Sequence, residues 1–95
     1  GLQYKDLTNG AIKDIKLDGV FVEVGSIPNA DFVKNLVQTN NWGEIVVDHK
    51  TQRTSQDGIS AAGDVADVLY KQNNVSAGDA VKAVLNIYEY LNKQE

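Results

Sequence analysis

Residues 54–65, Thr54-Ser-Gln-Asp-Gly-Ile-Ser-Ala-Ala-Gly-Asp-Val65, decide the interpretation of this chain. A short strand is predicted over 59–62, and the small residues at its end let a cofactor or another backbone approach closely. Asp64 then places a carboxylate at the strand's carboxyl end, where open α/β sheets bind ligands. Such a carboxylate accepts hydrogen bonds from ligand hydroxyls. On local chemistry alone, the simpler alternative is favoured: a strand ends in a turn, and Asp64 caps the next segment.

The last long element of the chain is predicted to be an amphipathic helix over residues 73–92. Its apolar positions follow the helical spacing i, i+3, i+4, i+7, i+8, i+11 and i+14, which indicates one face for a core. These positions are Ala77, Ala80, Val81, Val84, Leu85, Tyr88 and Leu91. The opposite, solvent-facing side is marked by Lys82, Asn86, Glu89 and Lys93. The first turn of this helix has backbone N–H groups to offer to an electron-rich ligand.

The amino-terminal quarter of the chain has the pattern of β-structure. Alternating residues over 2–17, with Asn9-Gly10 as the turn, predict a β-hairpin on a sheet surface or edge. The nearly continuous apolar run over 20–24 predicts a strand covered on both faces, as in a parallel sheet.

Two further elements are predicted between that strand and residues 54–65. Asn29 is a suitable N-cap for a short helix that carries four apolar side chains on one side. These side chains are Phe32, Val33, Leu36 and Val37. A short strand comes next, over 44–48. Together with the flanking elements, this order predicts an α/β architecture.

The length and composition of the chain exclude several classes of function. The chain has 95 residues, enough for one small domain, and its 9 basic and 13 acidic side chains give a net charge of −4. The acidic balance argues against nucleic acid and anionic membranes as partners, and there is no apolar run long enough for a membrane span. Cysteine is absent, which excludes thiol redox chemistry within these residues and fits a cytoplasmic location. One histidine, His49, and scattered acids match no metal loop, so no metal ligand is assigned.

Residues 58–65, Gly-Ile-Ser-Ala-Ala-Gly-Asp-Val, closely resemble the carboxyl-terminal flavin-binding signature of the thioredoxin reductases, with Thr54-Ser55 before them and Tyr70-Lys-Gln72 after them. The flavoprotein subunit of alkyl hydroperoxide reductase shares this signature, within the pyridine nucleotide–disulfide oxidoreductase family. Other segments match in order and at family spacing, so that the resemblance covers essentially the whole chain. These segments are residues 19–25 with Pro28-Asn29, residues 43–48 and residues 88–91.

The resemblance implies a fold and an activity. The fold is a partial FAD/NAD(P)-binding Rossmann-like α/β domain with an N-terminal β-hairpin and a C-terminal amphipathic helix. Residues 1–24 are expected to be closing strands of the pyridine-nucleotide domain, and residues 25–95 the carboxyl-terminal part of the FAD-binding domain. The parent enzyme, a homodimer, is expected to pass electrons from NADH or NADPH through FAD to a disulfide.

The resemblance also implies which residues bind the cofactor. Gly63 and Asp64 correspond to the signature, in which the aspartate binds the ribityl chain of FAD. Lys71, Gln72 and Asn73 correspond to the segment that opens the last helix, with backbone N–H groups facing the flavin pyrimidine edge. A helix N-terminus stabilises the negative charge that reduced flavin carries there.

Departures from the family pattern limit what these residues do alone. Ser60 stands where an aromatic residue is usual, and Ala80 stands in place of a glycine. Both glycine-rich nucleotide loops and the cysteine pair are missing, so no catalytic residue is assigned and the isolated chain is expected to be inactive. Its expected partner is the missing amino-terminal half of the flavoprotein, or another copy of itself. Two alternatives stay open: a catalytically silent module that only self-associates, and a ferredoxin–NADP reductase of the thioredoxin reductase-like type.

Overall fold

The computed structural model describes residues 1–93, so residues 94 and 95, the last two of the predicted 25–95 segment, lie outside the described residues. Within the described part, the regular elements are two strands and one helix. They are β1 (Leu2–Lys5), β2 (Ile12–Ile15) and α1 (Asn73–Lys93). The hairpin followed by a carboxyl-terminal helix confirms the predicted order of these elements.

The N-terminal hairpin forms as its turn sequence predicts. Strands β1 and β2 are antiparallel, with Leu2 opposite Ile15. Gly10 adopts a φ of +71°, which the chain reversal requires and which glycine reaches without steric cost. The Lys13 ammonium lies 2.6 Å from the Asp6 carboxylate, and this contact lowers the pKa of Asp6. Both strands are exposed along their whole length.

A small core lies in the middle of the sequence. It is formed by the buried side chains of Ala30, Val37, Ile45, Val47 and Ala66. The surrounding chain pairs through single β-bridges: Ile45 with Ala66 in parallel, and Arg53 with both Asp48 and Ser60 in antiparallel. The predicted strands over 44–48 and 59–62 are therefore wrong as continuous strands, because each segment pairs only through isolated bridges at single residues.

The strand predicted over residues 20–24 is also wrong. This segment has no regular structure, and the Phe21 side chain is 93% exposed. A parallel strand needs neighbours that accept and donate backbone hydrogen bonds along its edges. No neighbour of that kind is present in residues 1–93, so the apolar run lies open.

The predicted helix over 29–37 is replaced by consecutive turns. The Val33 and Leu36 amides donate to carbonyls three residues earlier, at 3.0 and 2.8 Å, whereas the Val37 amide donates four residues back. Val37 is buried and Phe32 is exposed, so the four apolar side chains do not share one covered side. A segment this short has too few hydrogen bonds to hold an α-helix without a larger packed face.

Helix α1 has the predicted bounds but the opposite orientation. Its buried residues are Asp79 and Ala83, whereas Val84 on the predicted core face is 63% exposed. The face predicted to be in solvent instead contacts residues 49–53. The Lys82 ammonium donates to the His49 carbonyl at 2.7 Å, and the Asn86 side-chain oxygen accepts from Arg53. The small side chain of Ala83 permits this close approach, and the polar contacts around it fix the helix in place.

Candidate functional site

The candidate site is a tight turn at residues 63–66 that lies against the first turn of α1. The Ala66 amide donates to the Gly63 carbonyl at 3.0 Å, which closes the turn. Gly63 has a φ of +87°, a conformation that favours glycine. A side-chain carbon at Gly63 would lie 3.5 Å from the Ser76 hydroxyl oxygen, so the turn and the helix are in van der Waals contact.

Asp64 presents an exposed carboxylate beside the start of α1. The Ser76 hydroxyl, in the first turn of the helix, donates to Asp64 Oδ1 at 3.4 Å. The Ser76 amide donates to the Gln72 carbonyl at 3.0 Å, so Gln72 is the N-cap residue immediately before α1. The structure therefore brings together a carboxylate and a helix N-terminus, the two features that the sequence placed at the site.

Gln72 and Asn73 are exposed at this helix start. Backbone N–H groups in the first turn of a helix have no acceptor within the helix, so they remain donors for another group. The arrangement offers one acceptor, on Asp64, next to the helix that supplies several donors in its first turn. That combination suits a ligand with hydroxyl groups at one end and electron-rich carbonyls or ring nitrogens at the other.

The Lys71 side chain turns back into the protein. Its ammonium lies 2.7 Å from Glu44 Oε1 and donates to the carbonyls of Asp64 and Ala66 at 3.1 and 3.3 Å. The Asn40 amide donates to the other Glu44 oxygen at 2.7 Å. Lys71, and secondarily Asn40, lowers the pKa of the Glu44 carboxyl. Sequence reasoning did not find Glu44, because no local pattern signals a pair so far apart in the chain.

Gln52 supports the strand-like segment that leads into the turn. It is 0% exposed, its φ is +60°, and its side-chain amide donates to the Ala61 carbonyl at 3.2 Å. The Ala61 amide donates in return to the Gln52 carbonyl at 3.0 Å. Within residues 1–93 the Gln52 Oε1 atom has no hydrogen-bond partner. Gln52 carries no motif, so sequence reasoning missed it as well.

Asp67, which directly follows the 63–66 turn, connects the turn to the core. Its carboxylate accepts from the Val47 amide at 3.1 Å and lies 3.4 Å from His49 Nε2. His49 is exposed in the connection that follows residues 44–48. No group of three or more histidine, cysteine or acidic side chains in the described residues could hold a metal ion.

A second polar cluster lies at the far end of α1 and lines a cavity of about 130 Å³. The Tyr90 hydroxyl donates to Asp57 at 3.1 Å, and the Arg53 guanidinium lies 5.4 Å from the centre of the Tyr90 ring. The hydrogen bond to Asp57 raises the pKa of Tyr90. This cluster attaches the end of the helix to residues 53–58 and contains none of the predicted site residues.

Comparison with known families decides the assignment. A family model described as "Pyridine nucleotide-disulphide oxidoreductase" matches residues 2–84. The chain belongs to this family. The match includes the hairpin, the core, the 63–66 turn and the first half of α1. It confirms the resemblance that the sequence motifs indicated.

Individual members of the oxidoreductase family show where the chain falls within it. An alkyl hydroperoxide reductase subunit from Escherichia coli (strain K12) is 41% identical over 91 residues, which are 96% of this chain and 17% of the relative. The corresponding protein from Xanthomonas campestris pv. phaseoli is 44% identical over the same shares. The chain thus spans about a sixth of the length of the curated relatives it matches.

Solved structures of thioredoxin reductases share the fold of this region. The T. acidophilum enzyme matches with a TM-score of 0.80 and 45% identity over 92% of this chain and 29% of that one. The Lactococcus lactis enzyme also has a TM-score of 0.80, with 32% identity, over 96% of this chain and 30% of its own. The likeness confirms the predicted fold class, part of a Rossmann-like α/β domain with a hairpin and a terminal helix.

The residues of the turn fit a flavin nucleotide. The Asp64 carboxylate is exposed, Gly63 places no side chain between the turn and Ser76, and the helix start supplies donors. The Lys71 ammonium, by contrast, is occupied by protein acceptors. Over residues 1–93 no helix is both long enough and apolar enough to cross a membrane.

Proposed function

We propose that this chain is the FAD-binding portion of an NAD(P)H-dependent flavoprotein disulfide reductase of the thioredoxin reductase-like type. The observation that carries the proposal is the position of the Asp64 carboxylate at the amino-terminal end of α1, joined to it by the Ser76 hydroxyl. Acceptor and donors then face the same ligand from two segments. Membership of the family and the likeness to thioredoxin reductases support this assignment.

In this proposal each residue of the turn has a binding role. Asp64 would accept hydrogen bonds from the ribityl hydroxyls, and Gly63 lets the turn adopt a left-handed conformation close against Ser76 of α1. The backbone N–H groups that begin at Gln72 and Asn73 would hold the pyrimidine edge of the flavin and stabilise negative charge there. When bound, FAD supplies the transfer of electrons from NADH or NADPH towards a disulfide.

The remainder of such a reductase is the partner that we propose for this chain. Residues 1–24 would close the pyridine-nucleotide domain, and residues 25–95 would complete the FAD-binding domain of a homodimeric, cytoplasmic enzyme. The glycine-rich loops and the cysteine pair of the parent enzyme would come from that partner, because this chain contains neither. The chain alone is then expected to bind flavin through the 63–66 turn and the start of α1, and to catalyse nothing.

A second candidate function is favoured by the exposed face of α1. Val81, Val84, Leu85, Tyr88 and Leu91 are each more than half exposed. An apolar face of this kind drives association when it has no cover. A chain that binds no flavin but forms a stable oligomer through this face would be a silent interaction module.

A flavin-retention experiment separates the two candidates. The purified chain is mixed with excess FAD and desalted, and its visible absorbance spectrum is compared with that of Asp64→Ala. Under the proposal the wild-type chain keeps a flavin band, and loss of the charged acceptor weakens FAD binding by about tenfold or more. Asp18→Ala, at an exposed acid that belongs neither to the 63–66 turn nor to α1, is the matched control and should retain FAD as the wild type does. A colourless wild-type chain that sediments as an oligomer would favour the silent module instead.

A further inference from the structure

We propose that the Glu44–Lys71 ion pair is the positioning device of the site: it fixes the distance between the Asp64 turn and the start of α1. The inference rests on the proposed function, because it concerns how the two halves of the flavin site are held together. Lys71 is thereby a positioning residue, and its ammonium is not a ligand of the cofactor.

The geometry around the ammonium carries this inference. A lysine ammonium has three N–H donors. Three protein acceptors lie within hydrogen-bond distance of it: Glu44 Oε1 and the carbonyl oxygens of Asp64 and Ala66. Since the number of acceptors equals the number of donors, the ammonium is saturated by the protein and has nothing left to offer a phosphate.

The segments that the ammonium joins are the ones that matter for the site. Lys71 stands two residues before Asn73, the first residue of α1. Its acceptors on Asp64 and Ala66 belong to the turn that presents the carboxylate. One side chain therefore connects the acceptor side of the site to the donor side.

Glu44 anchors this connection to the core. Its neighbour Ile45 is buried; the Ile45 amide donates to the Val65 carbonyl at 2.8 Å, and the Asp67 amide donates to the Ile45 carbonyl at 3.0 Å. The side-chain amide of Asn40 donates to the second oxygen of the Glu44 carboxylate. With side chains only 25% and 16% exposed, Lys71 and Glu44 are shielded from the solvent that weakens surface ion pairs.

Amide hydrogen exchange of the 95-residue chain tests the inference without any cofactor. The reporting amides are those of Ile45, Ala66 and Asp67, whose hydrogen bonds pass through the turn or its contact with the core. In Lys71→Met their exchange is expected to rise by about tenfold or more, since charge-assisted hydrogen bonds are lost. Exchange in the centre of α1 is expected to stay unchanged.

Milder and matched variants keep this test decisive if Lys71→Met does not fold. Glu44→Gln removes only the charge and should raise exchange at the same amides, whereas Lys71→Arg keeps charge and donors and should restore most of the protection. Lys34→Met removes an exposed ion pair with Asp31 and should change nothing at the turn. Unchanged exchange at Ala66 and Ile45 in both Lys71→Met and Glu44→Gln would overturn the inference, and so would an equal rise along the whole of α1.

FAD titration then separates a positioning role from a general effect on stability. If Lys71 acts through Asp64, the double variant Asp64→Ala/Lys71→Met loses less affinity than the product of the two single losses. Independent, multiplying losses would contradict the positioning role. If no variant and no wild-type chain binds FAD, the proposed function fails, while the exchange result still decides whether the pair holds the turn.

Discussion

Gly63 has the backbone conformation on which the candidate site depends, and it provides a test at the scale of one residue. Its φ is +87°, so Gly63→Ala is expected to lower the free energy of unfolding by about 1–2 kcal/mol through backbone strain. The added carbon itself would be in ordinary contact with Ser76. Urea denaturation followed by circular dichroism measures the change.

Gly78 supplies the matched control for that substitution. It lies inside α1, and a carbon added there meets nothing within 4 Å. Gly78→Ala is therefore expected to raise the free energy of unfolding by roughly 0.5–1 kcal/mol, the opposite sign. Two substitutions that change stability in the same direction would be inconsistent with the left-handed turn at Gly63.

The lowered pKa of Glu44 makes the free energy of unfolding depend on pH in the acid range. The Lys71 ammonium, with the Asn40 amide, holds the pKa of the Glu44 carboxyl below its ordinary value of 4.5. A lowered pKa in the folded state means that the ion pair stabilises the fold above pH 4.5, and that this contribution is lost as the pH falls through the lowered pKa. We expect wild type to be more stable than Glu44→Gln near pH 7, and the difference to disappear at an acidic pH well below 4.5, where the carboxyl is protonated in the folded state too.

Urea titrations of both proteins at the two pH values measure this difference. Asp6 is a second carboxyl whose pKa is lowered, but its partner is Lys13 in the hairpin. Asp6→Asn should therefore leave the difference between wild type and Glu44→Gln intact. A difference that persists unchanged in acid would mean that the charge of Glu44 does not stabilise the fold.

Only some residues of the candidate site could be identified from the sequence. Local chemistry alone favoured a simple capped turn at Gly63 and Asp64, and only the family motif marked these two residues as candidates for cofactor binding, which stays a prediction. Glu44 and Gln52 could not be found in that way. Their partners, Lys71 and Ala61, lie 27 and 9 residues along the chain, and only the folded backbone brings each pair together.

Helix α1 shows what hydrophobic periodicity predicts and what it leaves open. The spacing of apolar residues predicted the bounds of α1 within about one residue, because that spacing reflects the geometry of the helix itself. It did not predict the covered face, because coverage depends on the segments that lie opposite. In this chain Asp79 and Ala83 face the protein, and the apolar side is open.

A pair of adjacent substitutions tests this orientation of the helix. Ala83 is 7% exposed, so Ala83→Glu buries an unpaired charge and should lower the free energy of unfolding by about 2 kcal/mol or more. Val84→Glu, one residue along, should change it by less than about 0.5 kcal/mol because that side chain is open to solvent. Thermal and urea denaturation measure both. A larger loss of stability in Val84→Glu than in Ala83→Glu would mean that the apolar face is the buried one, as the hydrophobic periodicity predicted.

The elements that failed to form have a common physical cause. The apolar run over 20–24 has the composition of a strand, yet a strand is stabilised by its neighbours rather than by its own residues. The turns over residues 31–37 likewise bury only Val37 of the predicted apolar side. Local sequence specified a preference in each case, and tertiary contacts that these 93 residues do not provide decided the outcome.

At the scale of the whole molecule, the chain is elongated, measuring 68 by 25 by 22 Å. Both hairpin strands are exposed throughout, and among the regular elements the hairpin strands pack only against each other. The core and the candidate site both lie after residue 28. This division agrees with the predicted boundary between residues 1–24 and 25–95, which stays a prediction.

Limited proteolysis tests that boundary with the intact chain. Phe21 lies in an exposed segment without regular structure, so chymotrypsin is expected to cleave after it well before it cleaves at Tyr88 or Tyr90, which are protected by the helix. The fragment from residue 22 onwards should keep the urea midpoint of the intact chain, because no core residue is removed with the hairpin. Phe21→Ala is the control and should suppress the early cut without changing that midpoint. Cleavage that abolishes the unfolding transition would show that the hairpin and the flavin-site segment fold as one unit, and the boundary at residue 24 would then be wrong.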